Sequence, residues 1–339
     1  MVEASEHRRV LKMLEEGTIN AEEAEKLLKA LGTESEHRES EKYSETELKD
    51  LPGLVEGALS SLKSAGIFNW GPGYSYEREL TGNFSPEAVG ERGWVDLKGA
   101  ARNGRIHVNG WDSDGYRVVI RARVRGGDRE QAREVAERFC QVEQEGAALS
   151  VDGRRSNMPP NSSVSIEFFL PREYRYDLDL LTSNGRIQID DVRCENVVAV
   201  TSNGRVACQA MEAREVRLET SNGRIEVGGV SGSVRAQTSN GRIRLAPAKV
   251  DSDSEYDMVT SNGKILLDYQ PTADVGVDFE ARTSNGKIKV GWDAVEYEID
   301  DRKSRHPHVK GRTAGFEQKP VKLQARLKTS NGTISIGRN

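Results

Sequence analysis

The chain has 339 residues, 30% charged and 36% hydrophobic, with three cysteines and a formal net charge of −5 at pH 7. That balance excludes a strongly basic nucleic-acid protein and a small disulfide scaffold, so nucleic acid is an unlikely partner. No run approaches the roughly eighteen apolar residues of a transmembrane segment, and the start Met-Val-Glu-Ala-Ser-Glu-His lacks the basic-then-apolar order of a secretory signal; a cytoplasmic protein is expected, with the cell surface by unconventional export as the alternative.

In chain order, residues 1–32 read as a small helical hairpin. Val10, Leu11 and Leu14, then Ala24, Leu27, Leu28 and Leu31, recur at helical spacing on either side of Gly17-Thr18-Ile19-Asn20, with Asn20 as a cap and Gly32 as a stop. So small a unit buries little, so it is expected to dock on a protein partner or on its own copy. Residues 33–75 are polar and acidic and read as a linker. Residues 1–60 hold 8 Lys plus Arg against 15 Asp plus Glu, a net of −7, and the rest of the chain is at +2. The acidic arm either tumbles freely or lies along a basic edge of the rest as a removable cover.

Residues 76–339 are organised by a repeat. Ala101 to Val108 carries an early Asn-Gly-Arg-Ile unit that continues into an alternating strand from Tyr116 to Val124. At about 128–146 an inserted helix is expected, with Asp128 as N-cap and Ala132, Val135, Ala136, Phe139 and Val142 on one face. Thr-Ser-Asn-Gly then begins at Thr182, Thr201, Thr220, Thr238, Thr260, Thr283 and Thr329, at separations of 19, 19, 18, 22, 23 and 46 residues. A period near twenty marks units that bury their apolar faces only against their neighbours.

Four and two residues before each threonine, and five and seven after it, the columns are apolar in every repeat, from Leu178, Leu180, Ile187 and Ile189 to Ala325, Leu327, Ile334 and Ile336. Alternation in one phase means one buried face and one solvated face. Asn-Gly between strands also suits a β-hairpin, but identical residues in identical phase favour parallel stacking of like on like. The expected fold is mainly β: a single-stranded parallel β-helix, or solenoid, of about eight coils plus the small N-terminal α-hairpin, with a meander or sandwich as the competing arrangement. In such a stack glycine is expected at φ > 0, asparagine to bond its equivalent one coil away, and threonine to form the wall. The doubled spacing after Thr283 makes 293–319 an excursion, expected either to fold over the coil 329–336 at the end of the rod or to leave that end to associate.

Candidate chemistry is sparse. Asp190 with Asp191 and Asp300 with Asp301 are adjacent acids in turns, and His306 and His308 flank Pro307 without a supporting ligand; neither pattern makes a convincing catalytic pair or metal site. Cys140, Cys194 and Cys208 show no paired spacing. No cofactor motif is present, so neither cofactor nor metal is expected. The residue after each Asn-Gly is cationic: Arg105, Arg186, Arg205, Arg224, Arg242, Lys264 and Lys287. If the corners stack, cations recur about every 4.8 Å and form a candidate anion-binding edge, unless acids such as Glu219 and Glu226 pair with them.

The Thr-Ser-Asn-Gly-Arg/Lys-Ile unit, from about Trp94 onward, resembles the bacterial putative-adhesin β-helix family (DUF4097-type). The segment Leu14-Glu-Glu-Gly-Thr-Ile-Asn-Ala-Glu-Glu-Ala-Glu-Lys-Leu-Leu28 is similar to the short SHOCT-like N-terminal domain of the LiaX and YvlB type, associated with envelope-stress responses. The resemblance implies a non-enzymatic scaffold or binding protein linked to cell-envelope stress sensing or adhesion, with an anionic envelope ligand as a candidate. The alternative is a carbohydrate-active β-helix enzyme, which needs converging acids on one face.

Overall fold

The computed structural model describes residues 73–125, 127–154, 158–159 and 161–337. The expected helical hairpin at 1–32, nearly all of the linker at 33–75, and the acidic arm lie outside the described residues.

Strand β1 (Gly73–Gly82) leads into helix α1 (Pro86–Arg92), which is capped by the Ser85 side chain accepting from the Ala88 amide and ends on Gly93 at φ 85°. Strands β2 (Val95–Ala101) and β3 (Ile106–Trp111) flank the early Asn-Gly corner, and β4 (Tyr116–Arg125) follows. Helix α2 (Arg129–Glu134) opens with a capping box between Asp128 and Gln131 and runs into a π turn, Val135–Phe139. The helical spacing at 128–146 holds only to Phe139. Beyond it β5 (Gln141–Glu145) turns through Gly146 into β6 (Ala148–Gly153), because the alternating Gln141-Val142-Glu143 pairs better as a strand than it packs as a helix face. Strand β7 (Ser162–Pro171) closes this block.

The repeats follow as pairs of strands about each corner. They are β8 (Arg175–Thr182) and β9 (Ile187–Asp190), then β10 (Arg193–Thr201), then the long strands β11 (Val206–Thr220) and β12 (Ile225–Thr238). After them come β13 (Ile243–Ala246), β14 (Ser254–Asn262), β15 (Ile265–Leu267), β16 (Val275–Asn285) and β17 (Ile288–Val290). The 293–319 excursion is a hairpin of β18 (Val295–Asp300) and β19 (His308–Thr313), and β20 (Val321–Asn331) and β21 (Ile334–Ile336) carry the seventh repeat.

Strands before the corners pair in parallel in the order β6, β2, β8, β10, β11, β12, β14, β20, β16. Strands after the corners do the same in the order β7, β3, β9, β11, β12, β13, β15, β21, β17. The described residues are thus mainly β and form a solenoid-like stack of like on like. Threonine faces threonine throughout, as in Thr201 opposite both Thr182 and Thr220. The apolar columns line the interior: Leu178, Val216, Ile187, Ile225 and Ile243 are fully buried, and of the four columns only Val290, in the outermost coil, is partly exposed. Each such Val, Leu or Ile contributes about 1.5–3 kcal/mol relative to exposure.

Three expectations are corrected. Strands at both ends are antiparallel, β4 against β7 and β1, β5 against β6, and β19 against β16 and β18, so the strand 116–124 does not extend the parallel stack. The repeat at Thr329 is not the end of the rod. It lies between the repeats of Thr260 and Thr283, and both of its edges are paired. The outermost repeat is that of Thr283, and the 293–319 hairpin covers its edge through β19, with Trp292 donating to the Tyr269 carbonyl at 2.6 Å and stacking edge-on to Phe279 beneath.

Candidate functional site: the stacked corner

Each corner is built by contact with the one before it in the stack. A Cβ on Gly185, Gly204, Gly223, Gly241, Gly263, Gly332 or Gly286 would lie 1.6–1.8 Å from the carbonyl oxygen of the preceding corner glycine. None of these glycines has positive φ, and of the corner asparagines only Asn103 does, at 53°. The glycines are therefore required by close approach rather than by a left-handed turn. Into the same carbonyls the buried threonines donate their hydroxyls, at 2.9–3.2 Å, from Thr182 on Gly104 to Thr283 on Gly332. Threonine is thus the strut of the corner as well as its wall.

Outside the glycines the asparagines form one ladder. Asn103, Asn184, Asn203, Asn222, Asn240, Asn262, Asn331 and Asn285 are joined amide to amide at 2.6–2.8 Å. Aligned side-chain amides polarise one another, as in stacked Asn arrays. The corner serines beside them, such as Ser183, Ser202 and Ser221, are exposed, and their backbones bond in series, with the Ser202 and Asn203 amides both donating to the Ser183 carbonyl at 3.0 Å.

The sequence-derived cations occupy the next row in the order Arg105, Arg186, Arg205, Arg224, Arg242, Lys264, Thr333, Lys287, as the backbone bonds from Ile106 to Arg186, Ile187 to Arg205 and Ile334 to Lys287 show. The inserted repeat therefore places Thr333 between the two lysines. Glu226 offsets two members: it pairs with Arg205 and lies 3.7 Å from Arg224. Glu219 pairs instead with Arg217, at 2.7 Å, away from the row. Arg105, Arg186, Arg242, Lys264 and Lys287 are exposed and have no side-chain hydrogen bond or ion pair among the described residues. Like charges a repeat apart repel; Glu226 relieves this only at Arg205 and Arg224, so the row is positive on both sides of that pair and is interrupted again at Thr333.

The other candidates are committed elsewhere. Asp190 accepts from Gln188 at 2.6 Å and lies 2.8 Å from His107, and Asp191 holds Arg172 at 2.9 Å. Asp300 pairs with Arg302 at 2.8 Å. His306 reaches the Ser284 carbonyl and His308 reaches Glu280, so the two rings do not converge. Burial alone would raise the Glu280 carboxyl, yet hydrogen bonds from Arg282 and His308 hold it below its ordinary value. Burial pushes the Cys140 and Cys208 thiols up to about 12, and Cys194 also upward, which leaves all three as packing groups. Among the described residues no three His, Cys, Asp or Glu are grouped to hold a metal.

Sequence reasoning missed a polar groove of about 850 Å³ away from the corners, lined by Glu195, Glu212, Glu215, Asp251, Asp253, Glu255 and Asp257 with Arg175, Arg214 and Arg235. The available signal was the acid run Asp251, Asp253, Glu255 and Asp257, together with Glu215 and Ser233 in the outward column five residues before their threonines. Six of these seven acids are tied down: Glu195 lies within 3.7 Å of Arg175 and 3.4 Å of Arg214, Glu212 is 3.7 Å from Arg193, Asp251 is 3.6 Å from Lys249, Asp257 is 3.4 Å from Arg235, Glu255 is 2.6 Å from Arg326, and Asp253 accepts from the Lys322 amide at 2.8 Å.

The family model of the Toastrack DUF4097 domain matches residues 161–337, and that of the SHOCT-like domain matches residues 6–36. No curated protein matches the chain. Among solved structures, a putative cell adhesion protein from Clostridium sporogenes is similar at 10% identity and a TM-score of 0.39, over 78% of this chain and 100% of that one. A putative adhesin from Bacteroides fragilis is similar at 12% identity and a TM-score of 0.36, over 77% and 97%. Likenesses at this level carry no inference about function.

Proposed function

The chain belongs to the Toastrack DUF4097 family, and from that premise we propose that it is a non-enzymatic binding scaffold whose corner edge takes an extended anionic polymer. One observation carries the reading: among the described residues Arg105, Arg186, Arg242, Lys264 and Lys287 stand without side-chain partners on a row whose backbone is held by the threonine and asparagine ladders. A preformed row costs a ligand little ordering, and an extended polymer meets several heads at once. The uninterrupted ladder of eight asparagines also supports reading the stack as a single-stranded parallel β-helix of about eight coils. The SHOCT-like match at residues 6–36 is compatible with a docking role for that segment, toward a protein partner or a second copy, and a link of the two domains to envelope-stress sensing is part of the proposal.

The test is titration of the protein with poly(glycerol phosphate) and with neutral dextran at low and high salt. The phosphate polymer should bind, dextran should not, and binding should weaken steeply as salt screens exposed charges beyond about 10 Å at 0.1 M. Replacing the five unpaired cations by glutamine should abolish binding. Unchanged binding by that variant, or no binding by the native protein at low salt, would overturn the reading.

A further inference from the structure

The place of the seventh repeat is not dictated by its order in the chain. β20 and β21 enter between β14–β15 on one side and β16–β17 on the other, so the Thr260 and Thr283 repeats, adjacent in sequence, are separated by one strand width in space. Without this segment the stack would hold a slot with two open edges. Its lining is specific. The Gly263 carbonyl accepts from the Thr329 hydroxyl at 3.1 Å, and the Gly332 carbonyl accepts from the Thr283 hydroxyl at 3.1 Å. The Asn262 and Asn285 side chains bond Asn331 from either side at 2.7 and 2.8 Å. Leu323, Ala325, Leu327, Ile334 and Ile336 are fully buried in it.

An occupant must therefore bring Thr-Ser-Asn-Gly in phase with apolar residues at the same offsets, and a glycine at the corner, since a Cβ at Gly332 would lie 1.8 Å from the Gly263 carbonyl oxygen. In its own fold the segment is supplied by residues 314–320. These cross the start of β16, because β19 and β20 pair with opposite edges of that strand. The linker contains Gly315 at φ 69° and ends at Pro320. Seven residues drawn out reach about 23 Å, well beyond the two strand spacings, about 10 Å, that they cover here.

We propose that this slot is a strand-acceptor site and that the segment 321–336 of a second copy of the chain fills it, so that the protein associates by reciprocal exchange of its seventh repeat. Exchanged and unexchanged molecules make the same ladder contacts. Only the path of the linker differs, and concentration then favours exchange. The mode is β-strand addition with a corner lock on each side.

Crosslinking in the full chain tests this. Val259 and Lys328 are paired neighbours on the outer face across the β14–β20 boundary, at a strand spacing of about 4.8 Å that suits a disulfide, and the native cysteines are buried. Val259→Cys and Lys328→Cys are placed in separately tagged copies, unfolded, mixed, refolded together and oxidised. An intermolecular disulfide joining the two tags is expected, with a yield that rises severalfold with protein concentration. The double variant in one chain should close intramolecularly when dilute. Three results would overturn the proposal: no mixed-tag product while the double variant closes, equal yield when Val198→Cys in β10 replaces Val259→Cys, or failure of the double variant to close at all.

Discussion

The two edges of the stack turn the chain by different means. At the Thr-Ser-Asn-Gly edge every turn has the same residues, ordinary backbone angles and a neighbour's carbonyl against its glycine. At the opposite edge β11 and β12 run through unbroken while other repeats break for two residues at 191–192 up to seven at 247–253, Asp191, Ala210, Gly229 and Gly232 adopt positive φ, and the β11–β12 register shifts between Glu212 and Glu215. Repetition thus marks the places where coils touch each other, whereas variation marks the places where each coil solves its own turn. The five unpaired cations lie on the repeated edge, where spacing is imposed rather than chosen.

The comparison can be broken most severely just inside the repeated edge. Ile225→Asp places an unpaired carboxylate in a fully buried column and should cost about 4 kcal/mol or more in denaturant unfolding. Glu226→Lys, one residue on and facing out, removes the partner of Arg205 and Arg224 and should cost about 1 kcal/mol. Equal losses would refute the assigned alternation.

Next in size is Gly204→Ala, whose Cβ would lie 1.7 Å from the Gly185 carbonyl oxygen; a loss of about 3 kcal/mol is expected, the upper range for overpacking. Gly228→Ala, toward the other edge, meets nothing within 4 Å and should shift stability by no more than about 0.5 kcal/mol. Thermal or urea unfolding of the pair checks the contrast directly. Thr220→Val removes a buried hydroxyl that donates to the Gly204 carbonyl at 3.0 Å and should cost about 1 kcal/mol. The reverse swap at half-buried, outward-facing Val259→Thr should leave stability within about 0.5 kcal/mol.

The smallest expected effect is one of pH. Because Glu280 has a depressed folded-state pKa, its contribution is present above the unfolded carboxylate value of about 4.3 and is lost as pH falls through the lower folded value. Glu280→Gln should therefore flatten part of the acid limb of the stability curve and leave its shape at neutral pH unchanged. An acid limb identical in the two proteins would remove Glu280 from the account.

Much of this was legible in the residues. The four apolar columns, the Asn–Asn bonds and the place of the cations on the corner row follow from a two-residue alternation held in one phase across the repeats, but not the separation of Lys264 from Lys287 by Thr333. The reason for glycine did not follow, since Asn-Gly reads equally well as a turn needing positive φ, and only the approach of the Gly185 carbonyl to Gly204 shows otherwise. The groove remained hidden because only the stacking of three repeats brings Glu195, the pair Glu212 and Glu215, and the run Asp251 to Asp257 to one place.

The sequence by itself determined which residues face in, which face out, where each coil bends and that threonine stacks on threonine. The tertiary structure alone decided the order of the coils. Each Thr-Ser-Asn-Gly strand is complementary to every other, so local chemistry gives Thr283 no reason to prefer Thr260 over Thr329 as a neighbour. That choice is made by the hairpin of β18 and β19, which occupies the outer edge of β16 and leaves its inner edge to the repeat that follows.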